Sequence, residues 1–239
     1  MKAFNFLILL YLITLSGAFG QDNLNVLVIT GGHEFERTQF FEMMDSFENI
    51  DYQEVIQPEA NQSYTSVADK YDAIIFYDMV QKITEEQKKD LLALTNEGIG
   101  MVFLHHSLVS YNHWDQFLQL IGGRYHQDAY QKDGKTIPGS TYRHDVQIPV
   151  KIEAQEHPVT NNLDDFILFD EVYGGFSVLP TVTPLLSTTH PESSEIIGWA
   201  HSYNNSRVVY LQPGHDHHAY ENANYRTLVK NAIRWVHQK

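Results

Sequence analysis

Cysteine does not occur anywhere in the 239 residues. Its absence excludes a disulfide scaffold, a lipidated cysteine behind the first apolar segment, and every thiol nucleophile. Stability must come from a buried core, which a chain of this length can form as a single domain. Positive charge is scarce as well: 16 Lys and Arg face 30 Asp and Glu, for a formal net charge of −14. Without a basic stripe the chain has no electrostatic hold on phosphate backbones, so nucleic acid is not an expected partner. Internal repeats, low-complexity tracts and linkers are absent too.

Long apolar runs are confined to the start. "MKAFNFLILLYLITLSGAFG" carries Lys2, an apolar stretch from Phe6 to Leu15, and Ala18-Phe19-Gly20 as a small-x-small cleavage site. This reads as a signal peptide over residues 1–20, too short and wrongly flanked for an anchor. The expectation is an exported protein, periplasmic or secreted, with residues 21–239 as one domain and no membrane attachment after signal removal.

What remains has strong periodicity. "LNVLVITGG", "YDAIIFYD", "GIGMVFLHH" and "RVVYLQPG" are short, nearly continuous apolar runs, the pattern of strands buried on both faces. Helical spacing follows the first in "FERTQFFEMMDSF", and "ITEEQKKDLLALTNEG" opens with Thr84 and Gln87 as a capping box. Alternating strands and helices predict an α/β fold, a doubly wound, mainly parallel sheet with helices on both faces. The middle segments "STYRHDVQIPVKIEA", "FILFDEVYGGF" and "EIIGWAHSY" read as strands with little helix, an antiparallel extension of that sheet. "ENANYRTLVKNAIRWVHQK" is the closing amphipathic helix.

In such a sheet, ligands bind beyond the carboxyl ends of the strands. Those ends carry Gly31-Gly32-His33-Glu34, Asp78, His105-His106-Ser107 and Gly214-His215-Asp216. Histidine at three separate strand ends suits acid–base or ligand chemistry near neutral pH. His217, His218 and His237 read as loop or surface residues, and the spacing of His113, His144, His190 and His201 gives them no role. The G-x-S-x-G pattern of a serine nucleophile elbow is missing, since the apex of the turn after "GMVFL" falls at or next to His106 and no cysteine is present. "LFDEVYGGF" adds Asp170 and Glu171, a carboxylate pair suited either to general acid work beside Tyr173 or to ending a strand in water. There is no HExxH, yet a divalent metal held by His33, His105 or His106, and His215 stays open, because strand-end sites are assembled from distant sequence.

The ordered set "VITGGHEF", "YDMVQKITEEQ", "FLHHSLVSYNHWDQF", "IGGRYH", "DEVYGGF" and "RVVYLQPGHDHHAYENANYRTLVKNAIRWV" resembles the ThuA-like (trehalose utilisation) family over nearly the whole chain after the leader. The resemblance implies a flavodoxin-like sheet akin to class I glutamine amidotransferases, with His106 near that fold's nucleophile elbow and His215 near its catalytic histidine. Amidotransferase activity does not carry over, because the cysteine is missing. It also implies sugar utilisation, which fits 14 tyrosines available for stacking on sugar rings.

Two functions follow. One is an exported enzyme that cleaves or converts a glycoside or an oxidised (3-keto) sugar by acid–base chemistry. Its candidate catalytic groups are His106, His215 and Glu171, supported by His105 and Asp216, with His33, Tyr111 and Tyr173 lining the pocket. The other is a non-catalytic sugar-binding or accessory protein that uses the same residues for hydrogen bonding and stacking. The partner in both is a small-molecule sugar, and the residues carry no signal for oligomeric state.

Overall fold

The computed structural model describes residues 23–237 apart from 63, 65, 66 and 68; the expected leader lies outside the described residues. In chain order the elements are β1 (Leu24–Gly31), α1 (Arg37–Asp45), β2 (Ile50–Ile56), β3 (Ala73–Asp78), α2 (Glu85–Glu97), β4 (Gly100–Leu104) and α3 (Asp115–Ile121). Short strands β5 (Gly123–Arg124), β6 (Tyr130–Lys132) and β7 (Lys135–Ile137) lead into the long β8 (Thr141–Ile152) and β9 (Phe166–Gly174). Then come β10 (Ser177–Val178), β11 (Thr183–Thr188), β12 (Ile196–Tyr203), β13 (Ser206–Leu211), the single turn α4 (His217–Tyr220) and α5 (Ala223–His237).

Nine strands form one sheet in the order β2-β1-β3-β4-β13-β12-β11-β8-β9. The first five in that order run parallel, and the next three pairings, through β8, are antiparallel, as is the last onto β9. The α/β, doubly wound and mainly parallel arrangement with an antiparallel extension is therefore the fold of this chain.

Alternation along the central strands explains their apolar runs. Val26, Val28, Ile75, Tyr77, Val102 and Leu104 face one core with α1 and α5; Leu27, Ile29, Ile74, Phe76, Met101 and Phe103 face a second core with α2 and α3. Burial on both faces removes any place for a polar residue, because an unpartnered polar group there costs on the order of 1–3 kcal/mol. At the free edge β2 (IDYQEVI) has only Ile50 fully buried, so its sequence alternates. α2 starts on Thr84, whose side chain accepts from the Gln87 amide while the Gln87 side chain accepts from the Thr84 amide. Such a cap is worth about 1 kcal/mol, and Gly98, in the left-handed region at φ 82°, ends the helix. No helix among the described residues is long and apolar enough to cross a membrane.

Candidate functional site

The carboxyl ends of β1, β3, β4 and β13 share one rim, and the antiparallel extension returns β9 to the same side with Asp170 and Glu171 near its end. A pocket of about 330 Å³ opens there, lined by His33, His106, His144, Glu171, Tyr173 and His215 and also by Tyr125, Gln127 and Tyr142.

His105 stands where β4 breaks into a 3-10 turn spanning His105–Val109. Its φ of 47° is unusual for a residue with a side chain. That strained strand-to-helix turn is the geometry of a nucleophile elbow, and His105, not His106, occupies its bend. The turn is held by the Tyr210 hydroxyl, which donates to the His105 carbonyl at 3.0 Å. The ring then points inward: Nδ1 lies 2.7 Å from the Gln212 carbonyl and Nε2 lies 2.8 Å from Glu171 Oε2. A carbonyl only accepts, so Nδ1 carries a proton, and the Nε2 side of the ring faces the carboxylate.

His215 reaches the same carboxylate from the loop after β13, with Nδ1 3.2 Å from Glu171 Oε2 and 3.3 Å from His105 Nε2. Asp170 sets that loop. Its carboxylate accepts from the Gly214 amide at 2.7 Å and the His215 amide at 3.0 Å, so neighbouring acids on β9 divide the work. Asp170 grips the loop backbone and Glu171 receives the ring. Gly214 is required here: at φ 128°, a Cβ would sit 2.2 Å from the Tyr225 hydroxyl of α5. The Tyr173 hydroxyl, 3.0 Å from His105 Nε2, closes the cluster below.

Electrostatics follow from this packing. Burial alone would raise the Glu171 pKa, but hydrogen bonds from His105 and His215 outweigh it and hold the carboxyl well below its usual range. The bond to Glu171 raises His215 against the opposing effect of burial. His106 is pushed the other way, well below the usual imidazole value, first by burial and then by the neighbouring His105 and His33 rings. It is 2% exposed, packs against Tyr77 and His33 with centroids 4.3 and 4.9 Å away, and its Nε2 has no hydrogen-bond partner.

Three sequence expectations need correction. Tyr111 does not line the pocket: at φ 47° its side chain turns inward, and its hydroxyl lies 2.9 Å from Asn61 Oδ1 and 3.2 Å from Gln57 Nε2 in a buried polar knot that includes Asp78. Asp216 does not support the candidate histidines by a bond; it caps α4, accepting from the His218 amide at 2.9 Å and pairing with the His218 ring. The metal-capable set also changes. The donor atoms of His105, Glu171 and His215 all lie within 4.8 Å of one another, whereas His33 and His106 stand outside that group. A second such group, Asp216, His217 and His218, lies on the surface turn, where His217 also pairs with Glu36 at 2.8 Å.

His144, which its spacing left without a role, proves to be a pocket residue, with Nε2 3.5 Å from Glu171 Oε1 and its ring 4.6 Å from that of His215. Tyr125, Gln127 and Tyr142 were missed as well. The available signal was the strand pair itself. β8 and β9 are antiparallel with Tyr142 opposite Tyr173, and a bulge after Arg143 leaves His144 beside Glu171. Only a paired register, which a single strand does not disclose, reveals that proximity.

A parallel sheet with its site on the carboxyl rim, an elbow-like turn after a central strand and a histidine after the last parallel strand defines a chain of the class I glutamine amidotransferase-like fold that lacks the nucleophile. The family model for ThuA, trehalose utilisation, matches residues 25–236, and the chain belongs to that family. Solved structures agree on the fold. A ThuA-like protein from Parabacteroides merdae is 17% identical with a TM-score of 0.77, covering 91% of each chain. One from Bacteroides uniformis is 21% identical with a TM-score of 0.67, covering 90% of this chain and 91% of its own. A glutamine amidotransferase from Thermotoga maritima is 10% identical with a TM-score of 0.53, covering 92% of this chain and 100% of its own. No curated protein matches the chain.

Proposed function

We propose that this chain is an exported carbohydrate-processing enzyme that converts or cleaves a glycoside or a 3-keto sugar by acid–base chemistry. Membership of the trehalose-utilisation family supports sugar utilisation. The finer reading rests on one observation: a buried, unpartnered imidazole nitrogen of His106 on the wall of a pocket that also carries an imidazole–carboxylate cluster. A ketone at C3 of a sugar acidifies the hydrogen on C2. In this reading His106 removes that proton, and the electron pair moves onto the C3 oxygen, where the His215 ring, whose protonated form Glu171 favours, stabilises the enolate. Collapse of the enolate forms the C1–C2 double bond and breaks the C1–O bond, and the departing oxygen takes back the proton that His106 holds. Tyr125, Tyr142 and Tyr173 supply flat faces and hydroxyls for the ring.

The test is proton exchange at C2 in deuterated water, followed by NMR on a panel of 3-keto glycosides, with released alcohol measured in parallel. The expected outcome is deuterium incorporation or alcohol release that falls about 10²–10⁴-fold in His106→Ala, the range for removing a general base. Saturable sugar binding without exchange or release would replace this reading with a sugar-binding protein. Full activity in His106→Ala would remove His106 as the base.

A further inference from the structure

The convergence of His105 Nε2, His215 Nδ1 and Glu171 Oε2 calls for a cation at its centre. The three atoms are separated by 2.8, 3.2 and 3.3 Å. One proton can bridge one of these pairs, yet all three atoms turn toward each other, and His105 spends its other nitrogen on the Gln212 carbonyl. An ion with bonds of about 2.1 Å holds neighbouring ligand atoms about 3.0 Å apart in an octahedron and about 3.4 Å apart in a tetrahedron. The observed triangle matches one face of such a polyhedron.

We infer that His105, Glu171 and His215 form a binding site for one divalent transition-metal ion whose remaining positions open into the pocket. Two imidazole nitrogens select ions such as Zn2+, Fe2+ or Mn2+ over Ca2+ and Mg2+, which prefer all-oxygen shells. The surroundings are those of a ligand shell. Gln212 orients the His105 ring by accepting from Nδ1 through its carbonyl, which leaves Nε2 free for an ion. Asp170 fixes the backbone that carries His215. A second, independent feature points to a ligand in the same pocket: His106 is 2% exposed, lines the pocket and leaves Nε2 unpartnered. His144, 3.5 Å from the other Glu171 oxygen, is placed to orient that carboxylate or a ligand bound beside it.

The site deepens the sugar reading without depending on it. A divalent ion there would supply the positive charge that an enolate or a sugar hydroxyl meets.

The experiment uses the chain without a histidine tag, stripped with chelator, dialysed, and titrated with Zn2+ by calorimetry, with bound metal counted by mass spectrometry. The expected result is one Zn2+ per chain, bound at least about 100-fold more weakly by His215→Ala and by Glu171→Gln, and unchanged in the His217→Ala, His218→Ala double variant. Circular dichroism checks each fold, and Glu171→Gln serves if His215→Ala does not fold. Failure to bind Zn2+, Mn2+ or Fe2+, equal affinity in both site variants, or loss of binding in the surface double variant alone would overturn the proposal. The sugar assay is scored separately. A bound ion without sugar chemistry defeats only the functional reading, and undiminished chemistry in metal-free protein that binds no ion defeats only the metal site.

Discussion

Of the three carboxylates buried near this rim, Glu171 at 4% exposure and Asp78 at 1% are driven in opposite directions by their environments. Glu171 receives His105 and His215 and is held ionised. Asp78 ends β3 in a knot whose side-chain donor is the neutral amide of Gln57 at 3.0 Å, and burial raises its pKa to about 7 against that bond and a backbone one. Asn61 Oδ1 is itself an acceptor, taking the Tyr64 and Tyr111 hydroxyls and a share of the same Gln57 amide. Equal burial thus gives unequal chemistry. A partner that carries or shares positive charge decides whether a buried acid is a working group or a structural one.

The largest effect that tests this contrast is the removal of the Asp78 charge. A carboxyl whose folded pKa of about 7 exceeds its unfolded value near 4 binds more protons when folded, so stability falls as pH rises between those values and is level beyond them. Summed over that window, the loss is on the order of 4 kcal/mol. Asp78→Asn is therefore expected to flatten the urea-denaturation stability curve between pH 4 and 7 and to be the more stable protein at pH 8. An unchanged pH slope would mean that Asp78 is solvated or paired in solution.

The loop that brings His215 to Glu171 comes next. Gly214→Ala adds a side chain at φ 128° that meets the Tyr225 hydroxyl at 2.2 Å, so about 2–4 kcal/mol of stability should be lost. A loss below about 1 kcal/mol would show that the loop yields, and that Glu171 does not depend on a fixed partner. The smallest effect belongs to the knot. Tyr111→Phe deletes a hydroxyl that lies within bonding distance of Asn61 and Gln57, and should cost about 1 kcal/mol by denaturation. Any activity measured under the proposed function should stay intact, because Tyr111 is outside the pocket.

The parallel half of the sheet was legible in the sequence because burial on both faces writes itself as unbroken apolar runs, and the strand ends then identify His105, His106 and His215 as rim residues. Glu171 was legible for a weaker reason, an acidic pair interrupting the predicted strand FILFDEVYGGF. Left-handed backbone at His105 and Tyr111 was not legible, since neither residue type announces it, and each reverses a side-chain assignment. At the first the bend settles on His105, beside His106; at the second an expected pocket residue turns into the core. His144 stayed hidden because its neighbour Glu171 lies across a strand pair interrupted by a bulge.

The β8–β9 pair carries a further consequence. His105, His106 and His215 are borne by the parallel half, while Tyr142, His144, Glu171 and Tyr173 arrive together on this one hairpin at the far edge of the sheet. Its outer strand has no neighbour beyond it in the sheet order, so changes in hairpin length or outward residues need not disturb the central layers. The frame and the wall of the pocket thus come from separate parts of the sheet, tied together by Glu171 and by the hold of Asp170 on the His215 loop.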